Sequence, residues 1–118
     1  MRSMLETDTI VTLEPTGYLT AANITQFQEQ LTLNVSDPEK SIFLVDMTQV
    51  EFLDSAGLMA LASACRLAQS LDKQFSICSI PPSVKIIFEL TQLDRFLDIY
   101  DNRETFEATL NQTQDIAA

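Results

Sequence analysis

The run Ile42-Phe43-Leu44-Val45 carries no polar side chain and shows no alternation. A strand built only of apolar side chains has to be buried on both faces, which places it inside a sheet flanked by helices. The run stops at Asp46. After a short segment, Asp54-Ser55-Ala56-Gly57 opens a stretch in which Leu58, Leu61, Ala62, Cys65, Ala68 and Leu71 recur at helical spacing. Ala56, Met59, Ser63, Arg66 and Ser70 fall on the opposite side, with Met59 as its apolar exception. Ser55 is therefore expected at a helix start that follows a buried strand. Such a hydroxyl is accessible, is held by a rigid element, and lies where the helix end favours an added negative charge.

The rest of the chain supplies more strands and helices. Thr9 to Glu14 alternates as a half-buried strand does, and an edge strand is expected before it around Met4. Pro15-Thr16-Gly17 bends the chain, and Tyr18 and Leu19 resume extended structure. Thr20 or Asn23 is expected to cap a helix whose inner side is Ile24, Phe27, Gln28, Leu31 and Val35, ending near Asp37-Pro38. Met47 to Leu53 reads as a loop, and Phe75 to Ile80 as another strand. Pro81-Pro82 opens a helix with Val84, Ile87, Phe88 and either Leu90 or Thr91 inward. Leu97 to Tyr100 reads as a short strand, and Asp101 with Glu104 as a capping pair for a last helix that points Phe106 and Leu110 inward. The alternation of strand and helix predicts an α/β domain: a mainly parallel or mixed sheet of four to five strands flanked by about four helices. Residues 1–112 form that single domain, and 113–118 a flexible polar tail.

Charge and residue usage narrow the function. With 17 acidic against 7 basic residues the net charge is -10, the wrong sign for neutralising nucleic-acid phosphates. Histidine is absent, which removes the commonest general base and metal ligand. Two glycines are too few for a P-loop or a dinucleotide cradle, so no cofactor is expected. Cys65 and Cys78 lie in apolar contexts without a CxxC or zinc spacing and read as buried thiols. No run is long and apolar enough to span a bilayer and the N-terminus lacks a signal-peptide pattern, so a cytoplasmic protein without membrane attachment is expected.

Three chemical readings compete at the Asp54-Ser55 turn. Ser55 can be a simple helix cap that shares the duty with Asp54. Asp46, Glu51 and Asp54 can be imagined as a carboxylate site of an enzyme, but no histidine is available to complete it. A receiver domain phosphorylated on aspartate could use Asp46 and Lys85, but Pro15-Thr16-Gly17 stands where its magnesium-binding acidic pair belongs. Thr20, Ser63 and Ser83 are secondary phosphorylation candidates, each with an easy structural role.

The segment Val45-Asp46-Met47, Val50, Phe52-Leu53-Asp54-Ser55-Ala56-Gly57-Leu58, with Ile77-Cys78, Val84, Leu90-Thr91, Leu93-Asp94-Arg95-Phe96 and Ile99-Tyr100, resembles the STAS domain of anti-sigma factor antagonists. The likeness covers nearly all of the chain. It implies a STAS-like fold and a non-catalytic protein-interaction switch. By motif match Ser55 is the residue phosphorylated by a GHKL-type serine kinase that is also an anti-sigma factor. The resemblance also implies a PP2C-type serine phosphatase that reverses the modification and binding of the anti-sigma factor by the unmodified form alone. Thr20, Asp46, Asp54, Ser55, Ala56, Gly57 and Met59 are the expected partner-binding residues of a monomer or weak dimer. Where the family's pattern is G-x-L-D, this chain reads Gly17-Tyr18-Leu19-Thr20, with threonine in place of the acid. An adaptor in a kinase and phosphatase complex without a sigma factor is the alternative.

Overall fold

The structure, a computed structural model, describes residues 10–117, with side chains to residue 110. The edge strand expected around Met4 lies outside the described residues, as does Thr9, whereas the strand expected from Thr9 to Glu14 is present from Ile10. Within them the order is β1 (Ile10–Leu13), β2 (Gly17–Leu19), α1 (Ile24–Ser36), β3 (Ile42–Asp46), β4 (Val50–Leu53), α2 (Ser55–Ser70), β5 (Gln74–Cys78), α3 (Pro82–Leu90), a 3-10 turn (Leu93–Arg95), β6 (Asp98–Tyr100) and α4 (Arg103–Ala117). The α/β architecture is as expected. Among the described residues the strands form two sheets: a four-stranded sheet in the order β1-β3-β5-β6 and a separate pair, β2-β4. Every pairing is parallel, because helix-containing crossovers return each strand in the same direction.

The central strand behaves as its composition requires. Phe43, Leu44 and Val45 are all buried, and successive side chains point to opposite faces. Phe43 and Val45 join Phe75 and Ile77 in the larger core, against Ile24, Phe27, Leu31 and Val35 of α1, Leu58, Leu61, Cys65 and Ala68 of α2, and Val84 and Phe88 of α3. Leu44 and Cys78 face the other way and meet Phe106 of α4, with Ile42, Tyr100 and Leu110 around them. Burial raises both thiol pKa values, in keeping with inert core cysteines. Lys73 Nζ, from the turn before β5, donates to the carbonyls of Val35 at 2.6 Å and Asp37 at 2.8 Å, satisfying the end of α1.

Several local expectations need correction. Val50–Leu53 is not loop but strand β4, paired with β2; its three-to-four-residue ladder is too short to announce itself by period. Gln28 falls on the outer side of α1, whose buried residues are Ile24, Phe27, Leu31 and Val35, and Leu71, Leu90 and Thr91 are exposed because the ends of α2 and α3 have run past the core. The cap of α4 is Asn102, whose side-chain oxygen accepts from the Thr105 amide at 2.8 Å, one residue later than the Asp101 pairing suggested. Helical backbone continues through residues 113–117, further than the polar composition there suggested.

Candidate functional site

Strand β4 aims Ser55, and β2 fixes β4. Tyr18 lies opposite Phe52 and Leu19 opposite Leu53, so both strands leave the pair at the same end, one into Thr20 and the other into Asp54. Leu19, Val50 and Leu53 are buried in the larger core and anchor that end. The Asp54 amide donates to the Leu19 carbonyl at 3.2 Å, which carries the ladder one rung further.

Asp54 then binds two loops at once. Its Oδ1 accepts from the Ala56 amide at 2.9 Å and the Gly57 amide at 3.2 Å, capping α2. Its Oδ2 accepts from the Ala21 amide at 3.1 Å, in the loop before α1. The Ala21 hydrogen bond lowers the Asp54 pKa; partial burial opposes it, and the Gly57 and Ala56 amides restore the downward direction. The side chain is thus held ionised beside Ser55.

Ser55 is the first residue of α2, it is exposed, and its hydroxyl makes no hydrogen bond to any described residue. The capping duty falls on Asp54 alone. Gly57 is buried, and a Cβ there would stand 2.5 Å from the Leu19 carbonyl oxygen and 3.0 Å from Leu53 Cβ. Only glycine lets the first turn of α2 rest on the β2-β4 pair, so Gly57 shapes the site from beneath rather than lining it.

The other expected residues divide. Thr20 is half-buried in a tight turn where its amide donates to Asn23 Oδ1 at 2.9 Å and the Asn23 amide donates back to the Thr20 carbonyl at 2.9 Å. Asn23 therefore orders the turn and makes no side-chain bond to α1. The Asp54 to Ala21 bond brings Thr20's loop to Ser55's. Met59, one helical turn beyond Ser55, is 53% exposed, and Ala56 is half-buried. Asp46 belongs to a different cluster, at the end of the four-stranded sheet. Arg103 Nη2 donates to Asp46 Oδ2 at 2.8 Å and also to Glu14, while the amide of Thr48 donates to Asp46 Oδ1 at 3.0 Å and its hydroxyl does the same. Partial burial pushes the Asp46 pKa up, but the Thr48 and Arg103 bonds outweigh it and hold the carboxyl below its ordinary value. Between Ser41 and Cys65 the sequence offers no cation. The cation for Asp46 comes from α4 instead, 57 positions away, which no local signal could reveal. Among the described residues no group of three or more His, Cys, Asp or Glu side chains is placed to hold a metal ion, and no helix is long and apolar enough to cross a membrane.

The STAS domain family model matches residues 2–106 of this chain. The chain is 23% identical over 92 residues to BtrV of Bordetella bronchiseptica, assigned to the anti-sigma factor antagonists, the match covering 78% of each sequence. Among solved structures it is similar to a Thermotoga maritima protein given the same assignment, with a TM-score of 0.81, 23% identity, and 88% of this chain and 89% of that one covered. It also shares its fold with the anti-sigma factor antagonist SpoIIAA in its unphosphorylated form (TM-score 0.72, 14% identity, 86% and 89% covered). The phosphorylated form of SpoIIAA from Bacillus is similar too (TM-score 0.66, 13% identity, 86% and 91% covered).

Proposed function

This chain belongs to the STAS domain family, and we propose that within it the protein is an anti-sigma factor antagonist whose docking is switched by phosphorylation of Ser55. One observation carries the reading: Ser55 presents an exposed hydroxyl with no hydrogen-bond partner among the described residues, while Asp54 performs the capping that would otherwise occupy it. The names borne by BtrV and the Thermotoga relative support the same role. In the exchange the chain is substrate and ligand. A GHKL-type serine kinase that doubles as the anti-sigma factor supplies the phosphoryl group, a PP2C-type phosphatase removes it, and only the free form docks.

Electrostatics explain why the modification matters. A phosphate adds about one and a half to two negative charges at pH 7. The helix N-terminus offsets about 0.3–1 kcal/mol at an exposed site, and here the amides of Ala56 and Gly57 already serve Asp54. Desolvating the unpaired phosphate in an interface costs several kcal/mol. A net loss of about 3 kcal/mol weakens binding more than about a hundredfold. Left in water, the phosphate leaves the domain folded. Thr20, Ser55, Ala56 and Met59 form the contact surface; Asp54 and Gly57 position it. Asp46, engaged by Arg103 and Thr48, contributes only through the loop it steadies.

The test is mass spectrometry after incubation with the kinase and ATP. One phosphoryl group on Ser55 is expected, none on Ser55→Ala, and weakened binding by Ser55→Asp. Stoichiometric phosphorylation of the alanine variant refutes the site. The threonine at position 20, in place of the acid in the G-x-L-D pattern, favours a second reading in which the same switch serves an adaptor complex with no sigma factor. Competition of a sigma factor with this chain for the purified kinase decides between the two.

A further inference from the structure

The β2-β4 pair carries two aromatic side chains that the core does not use. Tyr18 is 56% exposed and Phe52 is 43% exposed, although their neighbours Leu19, Val50 and Leu53 are buried. The two residues are directly paired across the strands, with ring centroids 6.0 Å apart and planes tilted by 50°. Displaying two aromatic rings to water forfeits the burial that drives folding. Rings locked to each other on a hydrogen-bonded ladder lose little freedom when a partner covers them, which is the property of an interface anchor. Tyr18 also walls an open depression of about 280 Å³ together with Glu14, Thr16 and Asn23, so its ring borders a recess rather than a flat face.

We infer that the Tyr18-Phe52 pair is the aromatic anchor of the docking surface, seated in an apolar groove of a partner protein whose rim carries Lys or Arg. The inference rests on the reading of Ser55 as the switch, because Phe52 lies on β4, the strand that leads through Asp54 into Ser55. Charge selects the partner. Glu51, next to Phe52, is exposed and has no ion pair among the described residues, and Asp54 is ionised close by in the chain. The net charge of -10 makes a second copy of this chain a repulsive occupant and a basic rim an attractive one.

A photo-crosslinking amino acid placed at position 18 or 52 of the full chain, expressed in its native cell, should give an adduct with one and the same protein, and a control at exposed Leu33 should not. That protein, purified, should bind Tyr18→Thr/Phe52→Thr about 30-fold more weakly than the parent, equivalent to about 2 kcal/mol. Threonine keeps the strand propensity, so the thermal unfolding midpoint should move little; if the double variant unfolds, the two single variants carry the same measurement. Adducts no stronger than at Leu33, adducts only with a second copy, or unchanged affinity of a folded variant overturns the anchor. A crosslinked partner that binds through the pair but never phosphorylates Ser55 leaves the anchor standing and removes the kinase reading. A kinase that modifies Ser55 and ignores the threonine variants does the reverse.

Discussion

At the end of the two-stranded sheet Asp54 is satisfied by three backbone amides, whereas at the end of the four-stranded sheet Asp46 is satisfied by Thr48 and the guanidinium of Arg103. Both carboxyls have lowered pKa values, for different reasons. Amides hold a carboxylate in place without cancelling its charge; an arginine offsets it in part when, as here, two acids share it. The first arrangement leaves a fixed negative field beside a free hydroxyl, and the second has part of its charge offset by a guanidinium that Asp46 shares with Glu14. Two acids of one short stretch of sequence are thus held by different kinds of partner, and among the described residues only one of them has a cation beside it.

The largest effect expected from this contrast is in binding. Phosphorylation of Ser55 should weaken the kinase complex more than about a hundredfold, while Asp46→Asn should change it less than about threefold; calorimetric titration of both proteins checks the pair. A strong loss with Asp46→Asn would erase the distinction between the two sheet ends.

Gly57→Ala comes next. In an open helix this change would stabilise by about 1 kcal/mol, but the methyl would stand 2.5 Å from the Leu19 carbonyl oxygen. Overpacking should instead cost about 1–3 kcal/mol in urea unfolding. A gain in stability would show that α2 does not rest on the β2-β4 pair as described.

Asp54→Asn should have a smaller effect with a particular pattern. One amide oxygen can still cap Ala56 and Gly57, but the NH2 group then faces the Ala21 N–H, donor against donor. Hydrogen exchange should quicken at Ala21 and stay slow at Gly57. Equal loosening at both would mean the two loops are not separately held.

Arg103→Gln should be mildest, about 1 kcal/mol or less at pH 7, because the arginine is partly exposed. The sign with pH follows from Asp46: its folded pKa is lowered, so its contribution is present above the unfolded value of about 4 and is lost as pH falls through the folded value. Unfolding curves of parent and variant should therefore converge on acidification below about pH 4, and divergence there would contradict the pairing.

Much of this molecule was legible in the chain. The unbroken apolar run at residues 42–45 announced a strand buried on both faces, and Phe43, Leu44 and Val45 are buried. The spacing of Leu58, Leu61, Cys65 and Ala68 announced a helix beginning at Ser55, and α2 begins there. These signals are local and repetitive, so periodicity reports them. Strand β4 escaped because four residues, one of them Glu51, are too few to set a period, and its partner β2 lies some thirty positions earlier.

By itself, then, the sequence determined the α/β class, the family resemblance and the candidate hydroxyl at Ser55, all of which depend on residue type and short-range spacing. Tertiary structure alone decided that Asp54 ties the Ala21 loop to α2, that Arg103 pairs with Asp46, why Gly57 must lack a side chain, and that Tyr18 meets Phe52 in the open. Each of those facts is a distance between groups remote along the chain, and only the pairing of β2 with β4 and the packing of α2 and α4 against the sheets set such distances.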